Sequence, residues 1–186
     1  MKKILLFTFL FLFLLIGTSQ GQVPSIGPPV NLDLGIGGGV SLPNGKLSDA
    51  DNTGFHVGAK ARLHGFMPMN IPISAYYNRL PNKVGGETDV AWMLGAGLEY
   101  PIPSVSVKPY LGADALWNVM SNTGSGSSSV NRGGLGVGAG VEFSIPSLGS
   151  FDTSVKYQIF NLVGKEASEE TFSQIVASVA LMFSVL

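Results

Sequence analysis

Few residues in this 186-residue chain are equipped for chemistry, and their spacing argues against most of it. The two histidines, His56 and His64, share one face of an alternating segment. At ~3.3 Å per residue they lie about 26 Å apart, so they cannot hold one metal ion together. Neither has a carboxylate at metal-ligand spacing and the chain contains no cysteine, so no metal or other cofactor is expected. Lipid hydrolysis or acyl transfer would need a serine within hydrogen-bond reach of a histidine. No His-x-Ser occurs, which leaves a loop serine between Ser125 and Ser129 as the group His56 could meet, and no enzymatic activity is expected. The glycines of the same GSGSSS run precede no helix, so they form no phosphate cradle and read as a flexible tip.

The remaining chemistry is ionic. Asp33, Glu99, Asp114, Glu142 and Asp152, with Lys60, Arg62, Lys108, Arg132 and Lys156, all fall on the small or polar side of alternating segments whose other side is oily. Side chains alternate along a strand, so these charges share one face of a sheet. If the oily side meets lipid, this parity has a cause: Arg or Lys at the bilayer midplane costs about 2–4 kcal/mol. Turned inward, the charges must pair. Lumen ion pairs are therefore expected among Asp33, Lys60, Arg62, Glu99, Lys108, Asp114, Glu142 and Lys156. Hairpin register sets Glu99, Lys108, Glu142 and Lys156 side by side, and Asp33 near Arg62 or His64. A structural plug is expected rather than a conducting path, because about eight strands leave an interior that side chains fill. Inward glycines make room for Met93, Tyr110, Leu116 and Phe160.

The elements that position these charges are strands. In Gly134–Ile145, Leu135, Val137, Ala139, Val141, Phe143 and Ile145 face one way and Gly134, Gly136, Gly138, Gly140, Glu142 and Ser144 the other. Glycine contributes no packing and weakens a strand, so a nearly bare face suits a crowded lumen better than water. The same alternation marks Val30–Leu42, Gly54–Gly65, Ile71–Leu80, Val90–Tyr100, Val105–Val119, Phe151–Val163 and Phe172–Val185. Eight segments of this length can cross a bilayer as tilted strands. Charged residues form only 12% of the chain, against about 25% in ordinary soluble domains. A net charge of −1 without any basic run gives no footing for nucleic acid.

Ahead of the strands, Lys2 and Lys3 precede an apolar run from Ile4 to Ile16 and then Gly17, Thr18, Ser19, Gln20 and Gly21. This is the pattern of a secretory signal peptide, too short to be a good membrane-spanning helix. The expected division is a cleaved signal at 1–21, with cleavage after Ser19 as the alternative, a short lead at 22–29, and a barrel at 30–186. Connections after the second, fourth and sixth strands read as short. Those after the first, third, fifth and seventh (PNGKLSDADN, PNKVGGETD, SNTGSGSSSVN, GKEASEET) read as long and polar. That matches periplasmic turns and extracellular loops. With the first strand running outward, Phe55, Tyr77, Trp92 and Trp117 fall near the outer end of the lipid face, and Tyr100, Phe143, Phe151 and Phe183 near the inner end. Two aromatic girdles are expected there.

The eight alternating segments, the loop asymmetry and the two girdles together resemble the small outer-membrane β-barrels of the OmpA and OmpX type, over Val30 to Leu186. Members typically end on an aromatic residue in the outward set of the last strand; here Phe183 is followed by Ser184, Val185 and Leu186. The resemblance implies an all-β, eight-stranded antiparallel up-and-down transmembrane β-barrel in a Gram-negative-type outer membrane. Outer-membrane lipid is the expected partner, together with an unidentified one at the loops, and no further domain is expected after the eighth strand. The function expected is a structural or surface-interaction role through the loops. The alternatives are a narrow pore or hydrophobic-ligand conduit and, more distantly, a secreted lipocalin-like binder with its oily faces turned inward.

Overall fold

A computed structural model describes residues 30–65, 68–104, 107–124, 128–146 and 148–185. The expected signal and lead at 1–29, the expected strand start at Val105 and Ser106, and the loop serines Ser125 and Ser127 lie outside the described residues.

Eight strands follow in order: β1 (Asn31–Asn44), β2 (Gly54–His64), β3 (Ile71–Pro81), β4 (Thr88–Pro101), β5 (Lys108–Asn122), β6 (Val130–Ile145), β7 (Gly149–Val163) and β8 (Ser173–Ser184). Each is antiparallel to the next, and β1 closes on β8 from Asp33 opposite Ser184 to Asn44 opposite Ser173. The sheet is a closed up-and-down barrel without an open edge. Pro72 and Pro109 sit second in β3 and β5, where a missing N–H costs the ladder least.

The alternation orients the barrel inside out relative to a soluble one. Ile36 is 69% exposed on the outer wall while Arg62 is 1% exposed in the lumen. No described helix is long and apolar enough to cross a membrane.

Three features differ from the sequence reading. At the end carrying 45–53, 82–87, 123–129 and 164–172, the loop end, strands run further than the apolar pattern does; β1 reaches Asn44 and β6 begins at Val130. Backbone ladders need no apolar side chains, so pairing continues past the oily band. The connections at the opposite turn end, 65–70, 102–107 and 146–148, are therefore less sharply shorter than expected. Second, the β1–β2 loop contains a short helix, α1 (Leu47–Ala50), entered from Gly45 at φ 58°. Third, β6 pairs Leu135 with Ile159 but Gly133 with Val163, a bulge that buries both Phe160 and Asn161.

Candidate functional site

The candidate site is the lumen, which changes chemistry along its length. Toward the turn end Arg62 is its hub. Its Nε donates to Glu99 Oε2 at 2.7 Å, Nη1 to Glu142 Oε2 at 2.6 Å, and Nη2 to Asp152 Oδ2. Lys60 Nζ donates to Glu99 Oε1 at 2.7 Å and to Asp152 Oδ2 at 3.3 Å, while Lys108 Nζ donates to Glu142 Oε1 at 2.8 Å. Tyr110 donates to Asp152 Oδ1 at 2.8 Å, and its ring lies 5.1 Å from Lys60 Nζ and 5.2 Å from the Arg62 guanidinium carbon. Three cations thus meet three carboxylates, each paired, which is the condition for keeping ions in a low-dielectric interior. The bare β6 face makes this possible: a methyl on Gly140 would overlap the Tyr110 ring.

Around the middle, His56 lies between two hydroxyls, Ser41 Oγ at 3.1 Å from Nδ1 and Ser178 Oγ at 2.8 Å from Nε2. From sequence a loop serine is the group His56 could meet; among the described residues its ring nitrogens meet these lumen serines, because closure of β1 on β8 brings Ser178 opposite Gly39, itself opposite His56. Ser41 donates to Asn78 Oδ1 at 2.6 Å, Asn78 to Gln174 Oε1 at 3.2 Å, and Gln174 to Gln158 Oε1 at 2.9 Å. This is a chain of neutral amides and hydroxyls, and among the described residues the imidazole's hydrogen-bond partners are the two serines.

At the loop end the filling becomes apolar. Leu47, from α1, packs with Leu80, Ala91, Met93 and Phe160, and Tyr76, Met120 and Phe172 lie against them. Beneath Leu47 and Ala50 a cavity of ≈ 250 Å³, mostly apolar, reaches Ala91, Met120, Phe160 and Phe172. The central lumen holds ≈ 30 Å³ of space, and a polar vestibule of ≈ 400 Å³ opens at the turn end beside Asp33, His64, Lys108 and Glu142.

The β7–β8 loop is tied down over this end. Arg132 donates from Nε and Nη2 to Glu169, at 2.9 Å and 2.6 Å to Oε2, and Asn161 Nδ2 donates to Glu169 Oε1 at 2.7 Å. Those bonds from Arg132 hold the Glu169 carboxyl down at about 2. In the neighbouring loop, burial pushes the Asp51 carboxyl up to about 7, and Asp89 adds to the rise.

The expected site residues are distributed accordingly. Arg62, Lys60, Glu99, Glu142 and Lys108 meet in the ionic cluster, Lys156 bonds Asp114 as a separate pair, and Asp33 lies 3.0 Å from His64 Nε2. The expected row of Glu99, Lys108, Glu142 and Lys156 is not what forms. Lys108 does face Glu142, but Glu99 lies opposite Gly112 and Lys156 opposite Gly138, since neighbouring strands are staggered and the principal bonds cross the lumen. On the outer wall Phe55, Tyr77, Trp92 and Trp117 lie toward the loop end, with the Tyr77 and Trp92 rings 5.2 Å apart; Tyr100, Phe143, Phe151 and Phe183 lie toward the turn end. Asp152 sits on the inward parity but its role as a hub depends on register. Asn161 and Glu169 were beyond the sequence, because a bulge and a loop position them.

A family described as outer membrane protein beta-barrel domain matches residues 9–183. Among solved structures, Neisserial surface protein A is similar at a TM-score of 0.64 and 22% identity, over 83% of this chain and 99% of that one. A major outer membrane protein from Thermus thermophilus is similar at 0.51 and 14%, over 82% of this chain and 99% of that one. No curated protein matches the chain.

Proposed function

Because the chain belongs to the outer membrane protein beta-barrel domain family, and is thus a protein of the Gram-negative outer membrane, we propose that it serves as a plugged barrel displaying its loops at the cell surface. The ionic cluster supports this reading most directly. Between the turn-end vestibule and the loop-end cavity, a central space of ≈ 30 Å³ is room for about two waters at ~10–15 Å³ each, and the cluster beside it has its charges paired. A hydrated ion passing this level would have to break several charge-assisted bonds.

In the proposed orientation the loop end faces outward, the chain is exported by a signal peptide cleaved after Gly21, and the two aromatic levels sit at headgroup depth. A surface partner would then meet α1 and the 82–87, 123–129 and 164–172 loops. Planar-bilayer recording tests the plug: wild type should show no steady conductance, and a stable open channel in wild type overturns it.

The apolar cavity favours a second reading, a small hydrophobic-ligand site under α1. Its ≈ 250 Å³ lies just below the usual range of about 300–1,000 Å³ for small-molecule pockets, which suits a short acyl segment or a single ring. Displacement of an environment-sensitive dye by short-chain fatty acids, lost on filling the cavity with Ala91→Leu, tests it.

A further inference from the structure

Three oxygen atoms at the loop end face inward with nothing to bond. Asp51 is 2% exposed, and neither carboxylate oxygen has a hydrogen-bond partner. Opposite it across an isolated β-bridge, the side-chain oxygen of Asn82 is equally shut in and unpartnered. Asp89, second in β4 and opposite Leu80, two ladder steps in from Asn82 on the same face, sets a second carboxylate beside Asp51. Its Oδ1 accepts from Asn122 Nδ2 at 2.6 Å. Lys83 is near enough to act on Asp51, but its ammonium is bonded to the Ser48 carbonyl.

Asn122 donates to Asp89 alone, and Lys83 acts on Asp51 only through space, so the two carboxylates and the amide oxygen repel unless a proton or a cation sits between them. All the ligand atoms are hard oxygens, which excludes the soft-metal chemistries. Neither Asp51 oxygen is taken by a protein donor and the three residues come from separate segments, an irregular arrangement that Ca²⁺ tolerates and Mg²⁺ does not favour. Among the described residues no three acidic, histidine or cysteine side chains form a metal set, so the amide of Asn82 is essential to this one.

We propose that Asp51, Asn82 and Asp89 bind a divalent hard cation, best Ca²⁺, that fastens the 45–53 loop to the 82–87 loop. The two loops already share backbone bonds, Asn52 N to Pro81 O and Lys83 N to Ala50 O, both at 2.8 Å. The cation would lock that junction and so hold Leu47 over the apolar cavity. Two carboxylates and one amide imply a weak site, with Kd of about 10⁻⁴–10⁻³ M, the range of extracellular calcium modules. Its physiological use rests on the loop end facing outward, but the binding does not, so the test below stands whichever way the barrel lies.

Calorimetric titration of CaCl₂ into the detergent-folded chain should give one site in that range, displaced only by a large excess of MgCl₂. Asp51→Asn and Asp89→Asn should each weaken binding at least tenfold, and Asn82→Asp should tighten it. Each variant is first checked for the gel shift between unboiled and boiled barrel. If Asp51→Asn does not fold, Asn82→Ala, which removes a ligand from a partly exposed position, should also weaken binding. No measurable Ca²⁺ binding in the folded wild type, meaning a proton shared by the two carboxylates only, overturns the proposal. Binding that survives unchanged in Asp89→Asn and Asn82→Ala overturns it as well.

Discussion

The two halves of the lumen solve one packing problem in opposite ways. Toward the turn end, glycines pare back the wall and long ionic side chains fill the space, with Arg62 bonded to three carboxylates. Toward the loop end the filling is Leu47, Leu80, Met93 and Phe160, and it leaves ≈ 250 Å³ empty. The ionic half is held by directional bonds between strands, so it has one arrangement. The apolar half is closed by a four-residue helix whose loop is held at its edge by backbone bonds to Pro81 and Lys83, while the contacts beneath it are non-directional. The turn end is therefore expected to be the rigid half and the loop end the adaptable one.

The largest test breaks the rigid half. Arg62→Ala leaves Glu99 and Asp152 buried with one cationic partner, Lys60, and should cost on the order of 3–5 kcal/mol, read from urea unfolding in lipid vesicles. The same variant should raise conductance, because it removes the bonds that span the lumen. Phe160→Ala attacks the other half at the one apolar side chain held by both a bulge and the cluster, and about 3 kcal/mol is expected by the same assay. Leu47→Ala should cost less, about 2 kcal/mol, with faster exchange of the Asp51 amide, which bonds Leu47 O at 2.9 Å. Gly140→Ala, by crowding Tyr110, should cost about 1–3 kcal/mol, and Tyr110→Phe in the same chain should recover only part of it, because the hydroxyl is one of the overlapping atoms while the ring carbon that bears it and the Thr153 carbonyl stay in the way.

The smallest effect concerns the loop tied by Glu169. Its carboxyl is depressed to about 2 in the folded chain, so its anchoring is complete above the ordinary glutamate range and is lost as pH falls through about 2. Exchange of the Phe172 amide, which donates to Asn161 Oδ1 at 2.8 Å, should stay slow at pH 4 and quicken near pH 2. Glu169→Gln should quicken it at every pH.

Parity made the rigid half readable from sequence. A period of two fixes which residues face in, so Lys60, Arg62, Glu99 and Glu142 could be placed in the lumen before any register was known. Their partners could not. The stagger between strands decides that Lys156 meets Asp114 and that Glu99 meets Arg62, and stagger leaves no trace in alternation. The adaptable half was less legible. Leu47 is a lone apolar residue in a polar run, too short a signal for periodicity, and the bulge that turns Asn161 inward overrides parity at that point. His56 found Ser41 and Ser178 only because the first and last strands are neighbours.

The ionic cluster also constrains how the molecule is built. Arg62, Glu99, Glu142 and Asp152 come from β2, β4, β6 and β7, up to 90 positions apart. An early β1–β2 hairpin entering the bilayer would bring Arg62 to the acyl chains without Glu99, Glu142 or Asp152, with only Asp33 opposite it on β1, at part of the cost that an unpaired guanidinium carries there. Neutrality arrives only when β7 does. Insertion and closure are therefore expected to be coupled, and a chain truncated before β7 is expected to be held in the membrane less stably than the whole barrel.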